Sequence, residues 1–96
     1  MNYTITYDPR VFSEDLPNLP KTIKSRIKKA IESRLRTHPE LYGKPLRTTL
    51  KNNWKLRVGD YRVIYRIQKN KVIIWAIGNR SMIYAIALKR LLAGLQ

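Results

Sequence analysis

Between Asn53 and Ile67 apolar and polar residues alternate in two runs that meet at Gly59-Asp60, which predicts a β-hairpin. A Gly-first pair suits a two-residue hairpin loop, and the flanking residues are mostly β-branched or aromatic, as a half-buried pleated surface prefers. With two residues in the loop, Val58 lies opposite Tyr61, Arg57 opposite Arg62, Leu56 opposite Val63 and Trp54 opposite Tyr65. Side chains alternate between faces, so one face gathers Trp54, Leu56, Val58, Tyr61, Val63, Tyr65 and Ile67 as a core surface. The other gathers Lys55, Arg57, Arg62 and Arg66, with Ile64 its only apolar member.

The remaining elements follow from the same kind of pattern. Tyr3, Ile5 and Tyr7 alternate with Thr4 and Thr6 in a first strand over residues 1–7. Asp8-Pro9 supplies an N-cap oxygen and a first-turn proline for a short helix, which Pro17 and Pro20 close. Ile23, Ile27, Ala30, Ile31 and Leu35 then recur at helical spacing between about Pro20 and Arg36. Residues 37–52 carry Pro39, Gly43 and Pro45 and read as an ordered loop, with His38 at the helix exit as a C-terminal capping cation. After a turn at Lys69-Asn70, the apolar run Val72–Ile77 predicts a central strand buried on both faces. Gly78-Asn79-Arg80 breaks it, Ser81 is placed to cap, and Met82 to about Ala93 predicts a last helix ended by Gly94. That helix holds more apolar residues than one narrow stripe, so part of it calls for a partner protein or close packing. The fold class is α+β: one small domain over residues 1–96, an antiparallel sheet with two N-terminal helices on one face, and a C-terminal helix.

Charge changes the picture. Twenty Lys and Arg against 6 acidic residues leave a net charge of +14 on 96 residues, so the expected partners are anionic, nucleic acid first and an acidic protein second. At 27% charged and 44% hydrophobic the chain is neither disordered nor membrane-spanning in composition. Without cysteine there is no disulfide framework, and the first residues alternate like a strand rather than forming the apolar core of a signal peptide. A cytoplasmic protein with no membrane partner is therefore expected.

One histidine and six scattered carboxylates offer no metal-ligand spacing and no Ser/His/Asp constellation; no metal and no cofactor are expected. What remains is phosphate chemistry driven by cations. Like charges directly opposite on a sheet are unfavourable, so the Arg57–Arg62 pair calls for solvent or a bound anion. Strand-borne Arg and Lys can bind a phosphodiester, and RNA brings its own nucleophile in the ribose 2′-OH. Lysine is a poor base while charged, and cationic neighbours such as Arg57 and Arg62 around Lys55 disfavour its charged form. Tyr84, four residues after Arg80, can orient the phosphate, stack on a base or simply belong to the core.

Leu56-Arg57-Val58-Gly59-Asp60-Tyr61-Arg62-Val63-Ile64-Tyr65, preceded by Gly43-Lys44-Pro45-Leu46 and followed by Ile77-Gly78-Asn79-Arg80 with Tyr84, resembles the RelE/ParE family of type II toxins. The resemblance covers nearly the whole chain. It implies a fold similar to small microbial ribonucleases, an mRNA interferase that cleaves mRNA in the ribosomal A site, and an acidic RelB-like antitoxin as partner beside ribosome and mRNA. By motif, Lys55, Arg62, Arg80 and Tyr84 match the family's cleavage residues, and Arg57, Lys51 and Arg66 are expected to bind RNA phosphate. Asn53 stands where the best-studied member has a second lysine, and Lys51 shares the parity of Lys55 if the strand begins early. Two other readings stand beside this one: a ParE-type DNA gyrase inhibitor, and a basic nucleic-acid-binding module without catalysis.

Overall fold

The hairpin forms in the expected register. In the computed structural model, which describes residues 2–47 and 50–94, Arg57 pairs with Arg62, Leu56 with Val63 and Trp54 with Tyr65 across strands β3 (Trp54–Val58) and β4 (Tyr61–Gln68). Gly59 takes the left-handed conformation the turn needs, with φ of 60°. β4 in turn pairs antiparallel with β5 (Lys71–Asn79) through the turn at Lys69-Asn70, where Lys69 also has positive φ.

Two further strands complete the sheet. β1 (Thr4–Tyr7) lies beside β5, and β2 (Lys44–Pro45) lies beside β3, for an order of β1-β5-β4-β3-β2. β2 arises within the stretch expected to be loop, which also contains a single helical turn, α2 (Pro39–Tyr42). The sheet is antiparallel except at β1, which runs parallel to β5, with Thr4 opposite Lys71 and Tyr7 opposite Ile74. A parallel neighbour requires a long connection. The helices that separate β1 from the other strands provide it. Met1, Thr48 and Thr49, at the start of the first strand and inside the loop, lie outside the described residues.

The N-terminal helical segments cover one face. Asp8 caps the first of them as its sequence suggests, Oδ1 accepting the N–H of Arg10 at 2.9 Å. The chain then turns widely over Val11–Asp15, tightens over Leu16–Asn18, and enters α1 (Lys21–Ala30), which runs on into a wide turn over Ile31–Leu35. Ile27, Ile31 and Leu35 are buried against Leu56, Val63, Tyr65, Val72, Ile74 and Ile77. Each such aliphatic side chain contributes about 1.5–3 kcal/mol by its removal from water. His38 does not cap this helix with its ring: its backbone N–H donates to Arg34 O, while its imidazole stands edge-on to Tyr42.

The opposite face is not open. Helix α3 (Ile83–Ala93) lies over it, and Ile83 and Ala87 pack with Ile64, Trp75 and Ala76 in a second core. Ser81 does not cap it: among the described residues no side chain bonds the first N–H groups of α3, and Asn79 Oδ1 instead closes the preceding turn by accepting the N–H of both Ser81 and Met82 at 3.1 Å. Ile64, the lone apolar member of the cationic face, is thereby explained. A bulge in β5 serves the same core, because Ile64 pairs with Ala76 and Tyr65 with Ile74, which leaves Trp75 as the extra residue. The bulge turns Trp75 and Ala76 to the α3 side while Ile74 and Ile77 stay in the first core.

Candidate active site

The cationic residues of the hairpin flank α3 instead of filling an open sheet. Lys55 lies on the edge of the second core with its Nζ 5.7 Å from the centre of the Tyr84 ring, a cation–π contact across the start of α3. Tyr84 packs against the second core and is only half-buried, so its ring is both wall and contact surface.

Towards the turn, Arg57 and Arg62 face each other as a cross-strand pair. Arg62 curls over the loop, and one guanidinium nitrogen donates to Gly59 O at 3.0 Å and to Tyr61 O at 2.9 Å. Its partner on β5 is Gly78, where a Cβ would sit 3.3 Å from Ile83 Cδ1, so the start of α3 packs close on the strand there. Arg80 is placed by its backbone N–H, which donates to Asp60 O at 2.8 Å and ties the end of β5 to the hairpin loop. Lys55 and Tyr84 thus meet beside the start of α3, while Arg57, Arg62 and the backbone of Arg80 lie further along the sheet at the hairpin turn.

Lys51 and Arg66 do not join them. Arg66 is four residues from Arg62 along β4, about 13 Å at the usual rise per residue. Its Nε donates to Asn53 Oδ1 at 3.2 Å, and its guanidinium lies 5.8 Å from the Trp75 ring centre. Lys51 precedes β3 in a turn, so strand parity does not carry it to the side of Lys55. Asn53 is fully buried and its Nδ2 donates to Leu50 O at 3.1 Å, which makes it a brace for the entry to β3 rather than a group facing solvent.

The fold and this cationic cluster have counterparts. Residues 7–84 match the family model described as the ParE toxin of type II toxin-antitoxin system, parDE. This chain belongs to the RelE/ParE family of type II toxins. Toxin RelE of Mycobacterium tuberculosis is 36% identical over 74 residues, covering 75% of this chain and 76% of the relative. Toxin RelG of the same organism is 33% identical over 86 residues, covering 88% of this chain and 98% of the relative. The crystal structure of the toxin-antitoxin complex RelBE2 from M. tuberculosis contains a chain with a TM-score of 0.78 and 30% identity, over 83% of this chain and all of that one. The protein is accordingly the toxin of a type II toxin-antitoxin system.

Sequence reasoning missed one cation of this toxin's cluster. Lys44 on β2 is the cross-strand partner of Lys55, so the two share a face. Pro45 is the signal that could have found it, because a proline within a strand belongs on a sheet edge. Among the described residues, none of Lys44, Lys55, Arg57 and Arg62 is ion-paired with a carboxylate. A surface of this kind can bind phosphate oxygens, hold a nucleotide against an aromatic ring, and stabilise charge that develops during phosphoryl transfer.

Proposed function

We propose that this toxin is an endoribonuclease that cleaves mRNA on the ribosome and so blocks translation. The observation that carries the reading is the placement of Lys55 against Tyr84, with Arg57 two residues further along the same strand and Arg62 and Arg80 at the hairpin turn. In the reaction, the ribose 2′-oxygen attacks the adjacent phosphorus and the bond from phosphorus to the 5′-oxygen breaks. The 2′-hydroxyl gives up its proton and the leaving 5′-oxygen takes one from solvent water, which leaves a 2′,3′-cyclic phosphate and a 5′-hydroxyl. Lys55 is assigned to orient the 2′-hydroxyl and accept its proton. Arg62 and Arg80 are assigned to the phosphate oxygens, where charge builds up, and Tyr84 to holding the nucleotide in line. Arg57 adds a phosphate contact, while Lys51 and Arg66, at the far end of the hairpin, are assigned at most to more distant RNA.

The antitoxin is proposed to be an acidic, RelB-like protein. The RelBE2 complex of the M. tuberculosis relative supports this, as does the net charge of +14. The exposed apolar residues Met82, just before α3, and Leu92, on it, offer contact area. The proposed site of action is the cytoplasm, where ribosomes are.

The test is to add the purified toxin to translating ribosomes and map the 3′ and 5′ ends of the mRNA. Discrete cuts within the codon at the A site are expected, and they should disappear on addition of the antitoxin. Intact mRNA together with inhibited supercoiling by DNA gyrase would replace this reading with the ParE-type one. Binding to RNA with neither effect would leave a non-catalytic module.

A further inference from the structure

Lys44 falls in the stretch whose sequence predicts a loop, yet its backbone is held in β2 opposite Lys55. We propose that Lys44, set beside Lys55 across the β2–β3 pair, forms a second phosphate subsite, which holds the backbone of single-stranded RNA one phosphodiester away from the group bound at Arg62. The inference rests on the ribonuclease reading above.

The placement comes from three anchors around a strand only two residues long. Before Lys44, Gly43 lies directly on Tyr65, and a Cβ there would run into the Tyr65 hydroxyl. That hydroxyl is buried and donates to Pro39 O at 2.6 Å, so α2 is tied to β4 beneath β2. After Pro45, the Leu46 N–H donates to Asn53 O at 2.8 Å, and Asn53 is itself buried and held to Leu50 O. A lysine on a free surface loop loses conformational freedom when it binds a phosphate. Lys44 loses less, because its backbone is already fixed beside Lys55.

The charge arrangement indicates the ligand. Lys44 opposite Lys55 and Arg57 opposite Arg62 are two like-charge cross-strand pairs on one face, two residues apart along β3. Like charges set opposite each other oppose folding. Among the described residues no carboxylate relieves either pair. An anion bound at Lys44 and another at the Arg57–Arg62 pair would relieve both. Lys55 and Arg57 are separated along the strand by roughly 6.6 Å, a spacing that successive phosphates of an extended single strand can match. An isolated phosphate would need only one of the pairs; a polymer of phosphodiesters uses both.

The experiment measures binding of uniformly 2′-O-methylated RNA oligonucleotides, which cannot be cut, to wild type, Lys44→Gln and Lys44→Arg. One oligonucleotide series carries a single neutral methylphosphonate at each position in turn. Wild type should show a position where neutralisation weakens binding, and Lys44→Gln should lose sensitivity at that position while keeping it elsewhere. The slope of log affinity against log salt should become shallower by about 0.7 in Lys44→Gln, as expected for one contact to a single strand. Lys44→Arg should retain both properties, and thermal melts should show all three proteins folded. A Lys44→Gln profile and salt slope identical to wild type would overturn the subsite, as would a wild type that does not bind the oligonucleotides. If wild type and Lys44→Gln differ as expected but mRNA on ribosomes stays intact, the subsite stands and the ribonuclease reading fails.

Discussion

Arg90 and Asp15, 75 positions apart, complete the hydrogen bonding of β5 where its neighbouring strand stops. The last ladder bond on that side runs from Asp8 N–H to Ile74 O at 2.7 Å. Beyond it, Arg90 donates to Trp75 O at 2.9 Å and the Ile77 N–H donates to Asp15 Oδ2 at 2.9 Å. Two further bonds, of 2.8 and 2.6 Å, join the guanidinium to the carboxylate. A buried ion pair thus takes the place of a strand, and it locks α3 to the N-terminal helical turn. Its hydrogen bond to Asp15 raises the pKa of Arg90 above the ordinary arginine value. The contribution of Arg90 is therefore complete below that value and is lost only as pH rises through a still higher one, outside any working range.

Removing one partner strands the other in the interior. Arg90→Met should destabilise the fold by about 3–5 kcal/mol, the usual cost of an uncompensated buried charge, and lower the melting temperature by more than about 12 °C in a chain of this size. Arg90→Met with Asp15→Asn should cost less than the sum of the two single changes. Denaturant melts of the four proteins measure the coupling, and additive effects would mean that the pair contributes nothing as a pair.

Arg62→Gln should separate stability from activity. The change relieves repulsion with Arg57 but gives up the bonds to Gly59 O and Tyr61 O, so stability should move by no more than about 0.5 kcal/mol. Ribosome-dependent cleavage should fall by about two to three orders of magnitude, as for loss of one transition-state donor. Full cleavage by a folded variant would remove Arg62 from the site.

Gly43→Ala tests the anchoring of β2. A new Cβ meets the buried hydroxyl of Tyr65, whose ionisation is pushed up by burial so that it remains a neutral donor to Pro39 O. The expected loss is about 1–3 kcal/mol, typical of overpacking. Adding Tyr65→Phe should recover part of it, because the hydroxyl is the atom met first. A thermal melt of both variants decides this, and an unchanged Gly43→Ala would show that β2 is free to shift.

Asp8 carries the acid dependence of the N-terminal turn. Hydrogen bonding to the Arg10 side chain lowers its pKa below the ordinary value of 3.8. Its contribution is thus present above pH 3.8 and is lost as the pH falls through the depressed value. Melting temperatures of wild type and Asp8→Asn, measured from pH 7 down to pH 2, should differ at the upper end and converge at the lower. A gap that stays constant over this range would show that the Asp8–Arg10 contact does not depend on the carboxylate charge.

Local rules were enough for the hairpin. Alternation around Gly59-Asp60 set the register, and with it the facing of Arg57 and Arg62, because a two-residue turn and a period of two leave no freedom. The stripe of Ile27, Ile31 and Leu35 likewise determined which side of α1 is buried, and Asp8-Pro9 its own cap. The motif Arg80 followed by Tyr84 put Arg80 in the break after the strand and Tyr84 in the first turn of the last helix. Tertiary structure decided the rest. Which face α3 covers depends on whether its apolar residues meet Ile64 and the bulged Trp75-Ala76, and no short-range pattern encodes a bulge. That Lys44 stands beside Lys55, Arg66 turns away to Asn53, and Asp15 meets Arg90 are all pairings between distant segments. They follow from burial and from the need to satisfy every buried polar group, conditions that exist only once the sheet and both cores have assembled.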